Sequence, residues 1–151
     1  MLEALMKFGG YRIDRFCKAE CTGREFGFYI RPQTQVTDHY FIEAKHQLYY
    51  GLALIQAQGE LHNLAGIYID INDLENLQRP AYLAMKQDLR AGRFAKVLIS
   101  DRETLFGCSC AEADLFELAN EISGFELFHF QEGEPVALPL YEKVVLEAVR
   151  N

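Results

Sequence analysis

Strand patterns and helix patterns alternate along most of this chain, and that alternation restricts the fold more than any other feature. Glu25 to Arg31 reads as a strand, with Phe26, Phe28, Tyr29 and Ile30 in a mostly apolar run. Phe41, Ala44, Leu48, Leu52 and Ile55 then recur at helical spacing, and Gly59 is placed to end that helix. Leu64 to Ile71 reads as a second strand, in which Ala65, Ile67, Ile69 and Ile71 alternate with Gly66, Tyr68 and Asp70. Pro80 stands where a helix can begin, because the N–H it lacks would be unpaired there anyway. Tyr82, Met85 and Leu89 share one face of that helix, and Gly92 closes it. Phe94 to Ile99 gives a third strand. Ser109 and Glu112 have capping-box spacing ahead of Leu115, Leu118, Ala119 and Ile122, with Gly124 as the stop. Phe125 to Phe130 is a fourth strand, and a last short helix is expected from about Leu140 to Val149.

This order implies βαβ units, whose right-handed connections place helices on both faces of a parallel sheet. The expected fold is an α/β three-layer sandwich with a central, mostly parallel sheet of four or five strands. Residues 1–24 fit no part of the alternation and are expected to be an N-terminal extension, an added helix or strand. Residues 25–151 form the α/β domain in this reading. Ligands of open parallel sheets bind outside the carboxyl ends of the strands. Here those ends are Arg31 to Thr37, Asp70 to Gln78 and Ser100 to Cys110.

Charge bears on the partners. The chain has 15 Lys plus Arg against 22 Asp plus Glu, a formal net charge of −7. A protein held to DNA through phosphates usually presents a basic face, and no dense basic run is present. DNA binding in isolation is therefore expected to be weak or absent. No stretch approaches the roughly 20 apolar residues that span a bilayer. The opening MLEALMKFGGYRIDRF is too polar and too interrupted for a signal peptide. A cytoplasmic location follows as the expectation, and there cysteines are free thiols or metal ligands rather than disulfides. No cofactor is implied.

Three segments, taken in order, resemble the catalytic domain of the resolvase/invertase serine recombinases. The first is Tyr29-Ile30-Arg31-Pro32-Gln33, with Ile42-Glu43-Ala44 on the following helix and Ala57-Gln58-Gly59 at its end. It is similar to the family's opening strand, Tyr-x-Arg-Val-Ser. The second runs from Asp70 through Arg79-Pro80 to Ala91-Gly92, and the third is Val97-Leu98-Ile99 followed by Leu105. The likeness extends from Phe26 to about Phe130. In that family a serine attacks a DNA phosphate to form a phosphoserine link, and arginines stabilise the charge that grows on the phosphoryl oxygens.

Carried over by the resemblance, Arg31 and Arg79 match two of those arginines. Gln33 stands in the serine's place, and a glutamine amide cannot form the ester. The family's Asp/Ser-Arg-Leu-x-Arg run corresponds to Glu103-Thr104-Leu105-Phe106-Gly107, so Thr104 and Gly107 replace two further arginines. The family's Ser-Gly turn reads Asp73-Leu74, and its first-helix glutamine is matched by Lys45. Loss of one preorganised donor typically costs about 2.7–4 kcal/mol of transition-state stabilisation. The resemblance thus implies a relic site of Arg31, Gln33, Asp70, Arg79 and Thr104 with no catalysis. Thr34 and Thr37 are nearby hydroxyls without a base to activate them. The family continues into a long helix and a DNA-binding region, whereas Leu140 to Arg150 offers only Lys143 and Arg150 as basic residues.

The leading expectation is a catalytically inactive, recombinase-like interaction or regulatory module, working with a protein partner or as a dimer. A competing expectation is a phosphate- or nucleotide-binding enzyme that uses Arg31, Asp70 and Arg79 to hold an anion. An accessory factor that pairs with an active recombinase is a third. Against the anion site stands the reading that Arg31 and Arg79 pair with Asp70, Asp73 or Glu75. Cys17, Cys21, Cys108 and Cys110 could form a tetrahedral zinc site, but neither pair has the usual x2 spacing, and cysteines are common small buried hydrophobes. His39, His46, His62 and His129 match no nucleophile or metal set. Tyr40, Phe41, Tyr49 and Tyr50 cluster on the first helix, where one face must be core and the other is a candidate partner surface.

Overall fold

The computed structural model describes residues 10–16, 22–32, 40–71, 79–100 and 109–138. Its strands are β1 (Tyr11–Arg15), β2 (Phe26–Ile30), β3 (Leu64–Asp70), β4 (Lys96–Ile99), β5 (Glu126–Gln131) and β6 (Glu134–Ala137). Its α-helices are α1 (Tyr40–Ala57), α2 (Pro80–Arg90) and α3 (Ser109–Glu121). All six strands form one sheet in the order β1-β3-β2-β4-β5-β6. The inner four are mutually parallel, while β1 and β6 pair antiparallel with β3 and β5. The sheet is therefore mixed and mostly parallel, and the expected four or five strands fall short of the six observed.

Both additional strands lie at edges. β1 comes from the N-terminal extension, with Tyr11 opposite Asp70 and Arg15 opposite Gly66. β6 returns from β5 through Glu132 and Gly133, both at positive φ (52° and 81°). That backbone suits the two-residue hairpin, whose twist matches the flanking strands.

The sheet divides the core. On one face Tyr29, Tyr68, Val97, Ile99 and Leu127 pack against Tyr82, Met85 and Leu89 of α2 and Leu115 and Leu118 of α3. On the other face Phe28, Ile30, Ile67, Ile69 and Leu98 pack against Ala44 and Ile55 of α1. Consecutive residues of β2 and β3 thus serve opposite layers, as the two-residue period of a strand requires. α1 approaches the sheet closely at Gly51, where an added Cβ would lie 2.3 Å from the Phe28 ring. Among the described residues no helix is long and apolar enough to cross a membrane.

Four parallel strands in the order β3-β2-β4-β5 place a topological switch point between β2 and β4. In such sheets the crevice at the carboxyl ends beside the switch is the usual ligand position. Arg31 follows β2 directly, Asp70 ends β3, and Arg79 introduces α2, so all three lie at that end of the sheet.

Candidate anion-binding site

Asp70 organises this end of the molecule. Its side chain is fully buried, and both oxygens are engaged. Oδ1 accepts the Ala81 backbone N–H at 2.8 Å, and Oδ2 accepts the Tyr82 N–H at 2.9 Å and the Tyr29 hydroxyl at 2.8 Å. Ala81 and Tyr82 are the second and third residues of α2, whose first amides have no partner within the helix. Pro80 supplies no N–H, and Arg79 at the cap position makes no side-chain cap. A carboxylate at the end of β3 therefore caps α2 across the loop. Burial raises the Asp70 pKa, while the bonds from Ala81, Tyr29 and Tyr82 and the charge of Arg79 work against that rise.

Arg79 is also fully buried. Among the described residues none of its three guanidinium nitrogens has a hydrogen-bond partner. Its charge nevertheless acts on Tyr29, Asp70 and Tyr82, lowering the pKa values that burial raises at all three. The guanidinium thus sits within the electrostatic reach of a carboxylate and two phenols, closest to the Tyr29 hydroxyl, with no direct hydrogen bond among the described residues. Tyr29 and Tyr82 meet edge to face with centroids 5.9 Å apart, forming an aromatic wall beside it. Arg31 is buried as well, and its carbonyl accepts Gln47 Nε2 of α1 at 3.3 Å.

The expected pairing of Arg79 with Asp70 is not observed as a hydrogen-bonded ion pair. Asp70 spends its oxygens on the α2 amides and the Tyr29 hydroxyl instead. A direct role for Asp70 in holding an anion is disfavoured for the same reason, and its part is to position the start of α2. Gln33, Thr34, Thr37, Asp73, Glu75, Thr104 and Gly107 lie outside the described residues, as do Cys17, Cys21, Cys108 and the Leu140–Val149 helix. The Cys110 backbone belongs to α3, with its side chain outside the described set. Among the described residues no group of three or more His, Cys, Asp or Glu could hold a metal ion.

The part played by Tyr29 and Tyr82 was not anticipated from sequence. The available signal was chemical, since a tyrosine inside a buried apolar strand needs a partner for its hydroxyl. Tyr82 donates to Asp114 Oδ2 at 2.6 Å, and Lys86 Nζ donates to the same oxygen at 2.9 Å, joining α2 to α3. On the outer side of α1, Ile42, Tyr49 and Tyr50 are 63%, 58% and 54% exposed. His46 stacks on Tyr50, with centroids 5.8 Å apart.

No protein-family model, curated protein or solved structure matches this chain.

Proposed function

We propose that this chain is a recombinase-like α/β domain without the nucleophilic serine, acting as an anion-binding interaction module rather than cutting DNA. The observation that carries the reading is the buried guanidinium of Arg79, whose three nitrogens have no hydrogen-bond partner among the described residues. A guanidinium keeps its charge in proteins, so it cannot escape burial by losing a proton. An unpaired buried charge costs several kcal/mol, and an anion with oxygens for a planar fork removes that cost. Phosphate and phosphoryl groups have that geometry. The position at the carboxyl ends of the parallel strands supports the same assignment.

Gln33 in the serine's position supports binding without strand cleavage. The strand order and the placement of Arg31 and Arg79 after β2 and before α2 support the resemblance to the serine recombinases. Ile42, Tyr49 and Tyr50 support a protein partner or self-association through the outer side of α1, since exposed aromatics favour interfaces. A cytoplasmic location belongs to the same proposal.

The test is thermal unfolding of the wild type and Arg79→Met, each with and without inorganic phosphate. Phosphate at 100 times its Kd would stabilise the wild type by about 2.7 kcal/mol. For a domain of this size each 1 kcal/mol raises Tm by roughly 2–4 °C. Arg79→Met should lose the phosphate response and melt no lower than the wild type without phosphate, because the desolvation cost of the buried guanidinium disappears together with its attraction to Asp70. A wild type indifferent to phosphate, together with an Arg79→Met that melts lower, would overturn the reading. Supercoiled plasmid incubated with the wild type should remain unnicked and carry no covalently attached protein.

A further inference from the structure

Among the described residues the α1 face of the sheet is incompletely covered. A cavity of about 390 Å³ opens there at the amino ends of the parallel strands, opposite the Arg79 end. Phe26, Leu98 and Phe128 form its floor, and Pro135 of β6 contributes one side. Leu98 and Phe128 are register partners on β4 and β5, so their side chains meet on this face. Leu98 is 5% exposed, and Phe26 and Phe128 are half-buried.

The rim is polar and carries a positive balance. Arg24 and Lys96 line the cavity together with Gln58 and Glu60, giving two cations against one carboxylate. Glu60 is already engaged, accepting Asn63 Nδ2 at 2.6 Å. None of the ion pairs found among the described residues involves Arg24 or Lys96. Arg24 is exposed and Lys96 half-buried. Small-molecule sites typically occupy about 300–1,000 Å³, with a mainly apolar lining and a few polar groups that set orientation.

We infer that this cavity binds a small amphipathic carboxylate, its apolar body on Phe26, Leu98 and Phe128 and its carboxylate between Arg24 and Lys96. The apolar floor supplies affinity through area removed from water. The two cations select an acid over a neutral molecule of the same shape, and Arg24 offers a fork that fits a carboxylate. The site is independent of the Arg79 end of the sheet. The five residues of β2, at about 3.3 Å each, put on the order of 15 Å between the two ends.

Octanoate and octanol serve as probes, titrated into the full chain by calorimetry and by amide chemical shifts. Octanoate should shift the amides of Phe26, Leu98 and Phe128 and bind at least tenfold more tightly than octanol. Arg24→Gln and Lys96→Gln should each weaken octanoate about tenfold and leave octanol unchanged. Glu60→Gln should tighten octanoate several-fold, because it removes the one opposing charge. Arg79→Met should not change octanoate affinity, so this inference and the phosphate site fail separately. Equal affinity for acid and alcohol, shifts confined to other residues, or indifference to both cation substitutions overturns it.

Discussion

Glu25 shows how a single side chain ties the extension to the sheet. It is 4% exposed, just ahead of β2, and its carboxylate accepts the Thr22 N–H at 2.6 Å, the Gly23 N–H at 2.9 Å and the Thr22 hydroxyl at 3.1 Å. The Thr22 amide leads the interactions that hold its pKa below the ordinary carboxylate value. A group whose folded pKa is depressed stabilises the fold above its unfolded pKa, and that contribution is lost as pH falls through the folded value. Asp70 has the opposite sign, because burial raises its pKa and the folded state keeps that proton to higher pH. Glu25→Gln should cost about 1–3 kcal/mol near neutral pH, the range for hydrogen bonds to a charged group and for its desolvation. The deficit should shrink as pH drops below the folded pKa, where the wild type also carries a neutral acid. Urea melts of both proteins from pH 7 to pH 3 measure it, and a deficit that stays constant would show that the charge plays no part. At this scale the sequence identified Arg31, Asp70 and Arg79 as residues of interest but not their states. Whether an arginine is paired or orphaned depends on which carboxylate oxygens its neighbours have already used, and that is decided by α2 settling on β3.

At the level of elements, apolar spacing located the three described α-helices and the four parallel strands, because each must bury a face or a whole run. β1 was legible only as an added helix or strand, and β6 was not legible at all, because short edge strands bury little apolar surface. Tyr-Arg-Ile-Asp-Arg has only two apolar positions, and Glu-Pro-Val-Ala is four residues long, contains a proline and is exposed throughout. Alternation in Tyr11, Ile13 and Arg15 was the weak signal available for β1. Gly51 was equally silent, since a glycine inside a helical pattern usually reads as a small defect costing about 1 kcal/mol relative to alanine. Here α1 needs it. Phe28 is fully buried, and its ring stands where a Cβ at position 51 would be. Gly51→Ala should therefore reverse the usual sign and destabilise by about 1–3 kcal/mol, the range for an overpacked core. Pairing it with Phe28→Leu should recover part of the loss, since the flat ring is the atom group in conflict. A stabilising Gly51→Ala in chemical denaturation would mean that α1 can move off the sheet at little cost.

Across the whole molecule, the extension is the piece that closes the fold. Arg15 of β1 donates to Asp88 Oδ2 of α2 at 2.8 Å, and the Tyr68 hydroxyl of β3 donates to the same oxygen. One carboxylate thus fastens the edge strand, its neighbour in the sheet and the helix above them. Ile13 packs into the same core cluster as Tyr68 and Leu89. Removing residues 1–24 would strip the antiparallel partner from β3, a strand buried along its whole length. It would expose an apolar strand edge with open N–H and C=O groups, a template for pairing with another chain. Asp88 would lose its cation at the same time. The shortened chain should self-associate in light scattering at concentrations where the full chain does not, and its urea transition should broaden or disappear. Arg15→Met should act in the same direction but mildly, leaving the strand in place and costing about 1 kcal/mol, because the pair is part-exposed. If the shortened chain remains as monomeric and as stable as the full one, β1 merely decorates an α/β core complete without it. The loss predicted here follows instead if β1 is structurally part of the domain on which the Arg79 end of the sheet and the α1-face cavity both depend.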